Sequence, residues 1–440
     1  MGRSSASPLK AQSPHFAPRA KRMVFIFLEG GVSQVDSWDY KPLLQRDGGK
    51  PMPASIARPR YPFAPTGQLL ASPFHFERRG DRGMWSSDLF PAQNALIDRF
   101  CFMHGLHHDN EDHNTAKTLL HTGAGRELRP TLGSWLAYGL GSENDNLPAF
   151  IEVFPENQRS RPTAFLPPVF QGAALGRPDA RKPGRQWENL GTGPWPGQRR
   201  HVDLVQALNR ARGPGDAALD TAVAQMELAF RMQTEAPELL TTRGESPATL
   251  SLYGIGTPDS DDFGRALLAT RRFLERGVRF VLAHHATRKY GNLWDQHEHL
   301  ERGHRGNARA VDQPIAGFIR DLDSRGLLDD TLVMIGSEFG RTPMFEIKDG
   351  GDGRLRNGRD HNPHGYTLWF AGGGMRAGVR HGVTDDYGYH AIDQRVHIHD
   401  LHATLLHCLG LDHTRLTYRH AGRDYRLTDV YGEVVTDVLT

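Results

Sequence analysis

The 440-residue chain carries 53 Lys and Arg against 51 Asp and Glu, a near-neutral balance that excludes the lopsided charge of a nucleic-acid or membrane-surface binder. With 38 % hydrophobic and 24 % charged residues it also lies outside the disordered class, and a folded, enzyme-sized protein is expected. Only two cysteines are present, Cys101 and Cys408, both within apolar runs, which excludes a disulfide framework and a Cys-rich metal site and predicts two buried thiols.

Residues 1–22 contain Pro, Lys and Arg but no apolar core of a signal peptide, and are expected to form a flexible tail. No run approaches the roughly 18 apolar residues of a membrane span. Structure is predicted to begin at Met23–Leu28, a continuous apolar run suited to a strand buried on both faces, which stops at Glu29-Gly30-Gly31. About 60 residues of Pro-, Arg- and Gly-rich loop follow, a composition matched by the chain's high Gly and Pro usage (48 and 28). A second apolar run, Arg99–Met103, leads into the polar cluster His107–His113, and Thr115–His121 reads as a helix closed by Thr122-Gly123.

Pro148–Val153 is a predicted strand. The stretch from about 155 to 265 is irregular, then helical around Asp203–Met232, and reads as an insertion because strand–helix alternation resumes on both sides of it. Arg279–Ala283, Thr331–Gly336 and Tyr366–Ala371 are further strands. Val311, Ile315, Phe318, Ile319 and Leu322 form the apolar face of a helix, as do Ile398, Leu401, Leu405, Cys408 and Leu409. Buried strands alternating with helices specify an α/β fold with a mainly parallel sheet, and polar clusters stand just after four of the strands. Open sheets of this kind hold their ligands at the carboxyl edge.

Four segments carry residues suited to chemistry. In Asp112–Gly123 the helix start offers unpaired N–H groups to an anion and Lys117 adds a point charge; alternatively Asp112 or Asn114 caps the helix and Lys117 is solvated. In Trp294–His299, Asp295, His297 and His299 are imidazole and carboxylate groups of the kind that bind zinc, iron or manganese, or else a solvated polar loop. Ser337–Pro343 puts Glu338 at a strand end, with Arg341 either facing a bound anion or paired with Glu338. Gly358–Gly365, with Asp360 and His361, reads as a polar loop preceding a strand. Together with Glu29 these residues come from five chain-distant loops, which converge if they form one site and stay apart if they are unrelated surface loops.

Phe27–Pro42, Arg129–Trp135, Trp294–His297, Gly336–Pro343, Gly358–Pro363 and His399–Thr404 resemble motifs of the DUF1501 family, abundant in planctomycete-type bacteria, within the alkaline phosphatase/sulfatase superfamily. The resemblance covers about residues 14–440 and implies a three-layer sandwich over 23–440, with long loop insertions. In that superfamily a nucleophile begins a helix that ends in Thr-Gly, and Thr122-Gly123 puts His113 at its position. The sulfatase pattern Cys/Ser-x-Pro-x-Arg then falls on His113–Lys117, with Lys117 in place of Arg. His113 departs from the usual Ser, Thr or formylglycine; imidazole can attack phosphorus or ligate a metal that activates water.

The same resemblance puts Glu29 where the superfamily has an Asp after the first strand, and Glu338 at the Asp of its Ser-Asp-His/Asn-Gly motif. Phe339 stands where a metal-binding His or Asn is usual. Asp295 and His299 have the superfamily's Asp-x-x-x-His spacing, whereas the family pattern Trp-Asp-x-His points to His297; His361, beside Asp360, resembles the last metal histidine. What this implies is a hydrolase of phosphate or sulfate esters with one or two divalent cations (zinc, iron, manganese or calcium). Glu29, Glu338 and His113 are expected at one ion, the 295–299 and 360–361 residues at a second, and Lys117 and Arg341 at the anionic oxygens. The implied partner is an anionic ester such as a sulfated or phosphorylated carbohydrate, in the periplasm if an export leader precedes this chain. His113 and Phe339 keep open a non-catalytic binding or scaffold protein on the same fold.

Overall fold

The apolar run at 23–28 lies in strand Arg22–Leu28, and its alternation sets the architecture. Val24, Ile26 and Leu28 enter one hydrophobic cluster while Met23, Phe25 and Phe27 enter another, so both faces of the strand are covered. The computed structural model describes residues 9–56, 66–154, 162–176, 194–212, 217–285, 289–347 and 355–440.

In chain order the strands that build the site and its support are Arg22–Leu28 (β1), Thr66–Leu69 (β2), Cys101–His107 (β3), Phe150–Val153 (β4), Ala173–Leu175 (β5), Phe280–His285 (β6), Thr331–Gly336 (β7), Gly340–Ile347 (β8), Leu355–Asn362 (β9), Tyr366–Ala371 (β10), Val379–His381 (β11) and Val396–His397 (β12). The central sheet has the order β11-β3-β10-β7-β1-β6-β4-β5, with β12 also beside β3. Its pairings are parallel except those of β10, which runs against both β3 and β7.

Helices cover both faces. His113–Thr122 (α1), Leu132–Leu140 (α2) and Ile398–Cys408 (α7) bury Leu119, Trp135 and Leu405 in one cluster. Asp261–Glu275 (α5) and Leu300–Ser324 (α6) bury Leu267 and Ile315 in the other. The result is the expected α/β three-layer sandwich around a mainly parallel sheet. Gln198–Arg212 (α3) and Ala217–Leu239 (α4) lie in the span read as an insertion and are joined by an Arg199–Glu227 ion pair at 2.8 Å. That span also contributes β5 to the sheet's edge; its residues 155–161, 177–193 and 213–216 lie outside the described residues.

Three segments differ from the sequence reading. The polar stretch at 358–362 is strand rather than loop: it is the end of β9, which pairs antiparallel with β8 in a second sheet of order β9-β8-β2. Pairing across the sheet overrides the weak strand propensity of Gly, Asp and Asn there. Helix α6 starts eleven residues before Val311, because Gly303 and Gly306 let the helix lie against Gln296 and Tyr290, whose atoms would be only 2.4 Å from an added Cβ. In the expected tail, backbone N–H groups of Gln12, His15 and Arg19 donate to the carbonyls of Leu140, Gly410 and Cys408, each at 2.8 Å; residues 1–8 lie outside the described residues. Cys101 and Cys408 are buried free thiols, both pushed up to about 12 by burial. Among the described residues no helix is long and apolar enough to cross a membrane.

Candidate functional site

The site is built where β1 and β7 end. Gly30 and Gly31 follow β1 with φ of +116° and +92°, and a Cβ on Gly30 would sit 2.7 Å from the backbone nitrogen of Asp295. Only glycine allows the 294–295 loop to cross the strand end so closely, and Trp294 N–H donates to the Glu29 carbonyl at 3.1 Å. On the other side Ser337 Oγ accepts from Val32 N–H at 2.9 Å, and Glu338 accepts from Gly30 N–H at 3.1 Å. Glu338 is thereby fixed, fully buried, beneath the start of α1.

Helix α1 begins at His113 because Asp112 caps it, accepting from Asn114 N–H at 2.9 Å and Thr115 N–H at 3.1 Å. His113 Nδ1 donates to Glu338 Oε1 at 2.7 Å. Its Nε2 lies 3.2 Å from Asp295 Oδ1, in charge contact with that carboxylate. One turn further on, Lys117 forms an ion pair with Glu29.

Asp295 Oδ1 is the point of convergence. His297 Nε2 lies 2.7 Å from it, His361 Nε2 3.2 Å and Arg341 Nη2 2.7 Å, and the two Nε2 atoms of His297 and His361 are 3.0 Å apart. Behind each imidazole stands an oxygen acceptor: Glu338 for His113, Glu346 for His297, and the Glu111 carbonyl for His361 at 2.8 Å. Because those oxygens only accept, each Nδ1 is the donor and each Nε2 is the nitrogen presented to the centre. His113, Asp295, His297 and His361 offer donor atoms that all lie within 4.8 Å of one another, as do His297, Glu346 and Asp360 in an adjoining group.

Arg341 is wholly buried. Its guanidinium donates to the carbonyls of Gly31 and Arg359, both at 3.1 Å, and of Gly30, besides meeting Asp295. It is thus a clamp on the loops that carry the site, not a side chain reaching into open space. Phe339 stacks on His361, with ring centroids 4.5 Å apart, and lies 4.9 Å from His113.

Charge in this cluster is balanced internally. Burial alone would lower the His113 pKa, but its bonds to Asp295 and Glu338 and their charges raise it to about 9. Burial likewise opposes a charged His297, and Asp295 and Glu346 overcome it and raise its pKa. Burial would raise Glu338, yet the His113 bond and charge and the Lys117 charge hold it below the usual carboxylate value. Against the same burial penalty, Arg341 and the three imidazoles hold Asp295 far below that value. His361 is lowered, first by burial and then by the charges of Arg341 and His113.

Of the residues singled out in the sequence, His113, Asp295, His297 and His361 therefore meet in one donor group, and Asp360 joins the adjoining one. Glu338 stands behind His113, and Glu29 stands with Lys117 beside it. His299 is exposed and stands outside both donor groups; its backbone takes a left-handed φ of 54° and turns the chain into α6. Sequence reasoning passed over Glu346 and the Glu111 carbonyl. The one signal for Glu346 is a lone carboxylate between apolar residues in Met344-Phe345-Glu346-Ile347.

No curated protein matches the chain in sequence. Among solved structures it is similar to the lipoteichoic acid synthase LtaP from Listeria monocytogenes at 10 % identity, covering 95 % of this chain and 78 % of that one with a TM-score of 0.37. It is similar to the PsFucS1 sulfatase from Pseudoalteromonas sp. at 12 % identity (89 % and 68 % covered, TM-score 0.38). To alkaline phosphatase from the Antarctic bacterium TAB5 the identity is also 12 % (82 % and 94 % covered, TM-score 0.29). The family model described as "Protein of unknown function (DUF1501)" matches residues 20–439, nearly the whole length, and the chain belongs to that family.

Proposed function

We propose that the protein is a metal-dependent hydrolase of phosphate or sulfate esters whose cation is held by His113, Asp295, His297 and His361. One observation carries the reading: three imidazoles present Nε2 to a shared carboxylate while each Nδ1 is committed to an oxygen behind it. That is how ligand histidines are oriented in metal centres. The His113 Nε2, gathered with the donor atoms of Asp295, His297 and His361, fits a ligand position, and a donor set rich in imidazole suits zinc, iron or manganese better than calcium. The resemblance of the surrounding motifs to the alkaline phosphatase/sulfatase superfamily supports the ester class.

A divalent cation in such a centre polarises an ester oxygen and lowers the pKa of a bound water. The chain's own residues prepare the place. Glu338 and Glu346 hold His113 and His297 in the required tautomer, and Arg341 fixes Asp295 and offsets its charge. Lys117, one turn into α1, supplies positive charge for the anionic oxygens of a substrate such as a sulfated or phosphorylated carbohydrate. With Nδ1 given to Glu338 and Nε2 to the centre, His113 serves as a ligand in this reading and not as the attacking group.

The test is elemental analysis after metal repletion, on the wild type and on His361→Ala, with p-nitrophenyl phosphate and p-nitrophenyl sulfate as substrates. About one equivalent of a transition metal, lost in the variant together with turnover, is expected. Folded wild type that takes up no metal overturns the proposal and favours a non-catalytic binding protein. The observation on that side is the internal balance of Lys117 with Glu29 and Arg341 with Asp295, which satisfies these charges without a cation.

A further inference from the structure

We propose that a second cleft, one loop away from the imidazole cluster, binds a neutral saccharide on a platform made by Tyr431. The cleft has a volume of about 850 Å³ and lies between the 109–110 loop, the start of α7 and the 426–433 turn. Its size is that of a site for a small organic ligand.

Tyr431 is 61 % exposed, yet its ring is held. It stacks on His399 with ring centroids 5.1 Å apart and planes at 14°, and His399 is itself buried with Nε2 bonded to the Gly123 carbonyl at 2.9 Å. The backbone is pinned on both sides: Tyr431 N–H donates to the Thr428 carbonyl at 3.0 Å and Glu433 N–H to Asp400 Oδ1 at 2.8 Å. Between them Gly432 has φ of +99° and passes so close to α7 that a Cβ would lie 2.9 Å from the His399 carbonyl. A large aromatic surface kept rigid in solvent has its ordering cost met before any ligand arrives.

The chemistry around the platform selects the ligand class. A sugar ring offers an apolar C–H face to an aromatic ring and hydroxyls around its edge, and the cleft supplies both kinds of partner. Asp109, Asn110 and Glu433 are acceptors along the wall, and Arg426 is a donor. The carboxylates of Asp109, Asp400 and Glu433 outnumber the single guanidinium, and burial lowers the lining imidazoles of His397 and His413 so that they add no positive charge at neutrality; an anionic ester is repelled here and a ligand without negative charge is admitted. The cleft thus complements the cluster, to which the 108–111 loop joins it: Asp109 and Asn110 line the cleft, while on either side of them His108 bonds the Glu338 carbonyl at 2.7 Å and the Glu111 carbonyl holds His361.

Titration calorimetry of the full chain with cellohexaose, xylohexaose, laminarihexaose and mannohexaose tests the assignment, with spermidine as a cationic control. At least one oligosaccharide is expected to bind saturably. Tyr431→Ala should weaken it about tenfold or more while Tyr431→Phe retains it. His361→Ala should leave it within about twofold, because the cleft does not depend on the metal centre. Truncation of Tyr431 removes its stack on His399, so the thermal midpoint should fall by only a few degrees and the variant stays folded under the binding conditions. Binding of spermidine alone, no saturable binding, or an unchanged affinity in Tyr431→Ala overturns the proposal.

Discussion

Asp36 and Arg359 show what a buried charge demands in this fold. Both are fully buried, joined by two contacts of 2.7 and 3.0 Å, and although burial favours a protonated Asp36, the Arg359 charge holds its carboxyl below the ordinary value. Asp36→Ala leaves the guanidinium uncompensated and should cost about 3–5 kcal/mol, measured as a shift in the urea midpoint. Asp36→Ala with Arg359→Met should recover part of it, because the stranded charge is gone. Single residues were legible in the sequence where a motif named them, and their mutual roles were not. Asp295, His297 and His361 could be picked out, but spacing alone supports His299 as well as His297, and the left-handed turn that separates them is a backbone fact. Glu346 had no motif at all; its place beside His297 is set in the second sheet, where β8 pairs with β2 at Glu346 and with β9 at its neighbours Phe345 and Ile347.

Helix α1 is the element on which the site is hung, and its two ends are fixed by different means. At the start, Asp112→Ala removes a side chain that satisfies two backbone N–H groups and should cost about 1 kcal/mol. At the end, Gly123 has φ of +71° and a Cβ there would come within 2.0 Å of the Leu427 carbonyl, so Gly123→Ala should cost clearly more than the cap. Thermal unfolding of both variants measures the order; a larger loss at Asp112 would contradict it. Elements whose apolar residues decide their own fate were readable: β7 and β10 have the bounds read from their runs. Strand β9 and the first half of α6 were not, since a polar strand is made by its partner and Gly303 and Gly306 weaken a helix pattern that close packing then restores.

Across the whole molecule, buried histidines set the response to acid. Burial pushes His104, His121, His304 and His402 down to about 3 and His108 to about 4, and the Nε2 of His304 accepts the Ser33 N–H, a bond that protonation would break. In the unfolded chain these groups take up protons near pH 6.5, so stability is whole above that value and falls as pH drops toward 4 and then 3. Each can contribute up to about 1.4 kcal/mol per pH unit over that window. His113 acts with the opposite sign: its raised value stabilises the cation-free fold below pH 6.5, and that contribution is lost as pH rises through about 9. A thermal midpoint highest near neutrality and falling steeply below pH 6 is expected; a flat profile down to pH 4 would show that these imidazoles are solvated.

The leading segment at 10–20 runs along Leu140, Cys408 and Gly410 and then enters β1 from its amino end, whereas the imidazole cluster stands beyond the carboxyl ends of β1 and β7. The sheet itself therefore lies between the two. A bead or surface tether fixed at the exposed side chain of Lys10 holds the molecule by the side opposite its candidate centre, so that protein immobilised in this way presents that centre outward to large or polymeric substrates.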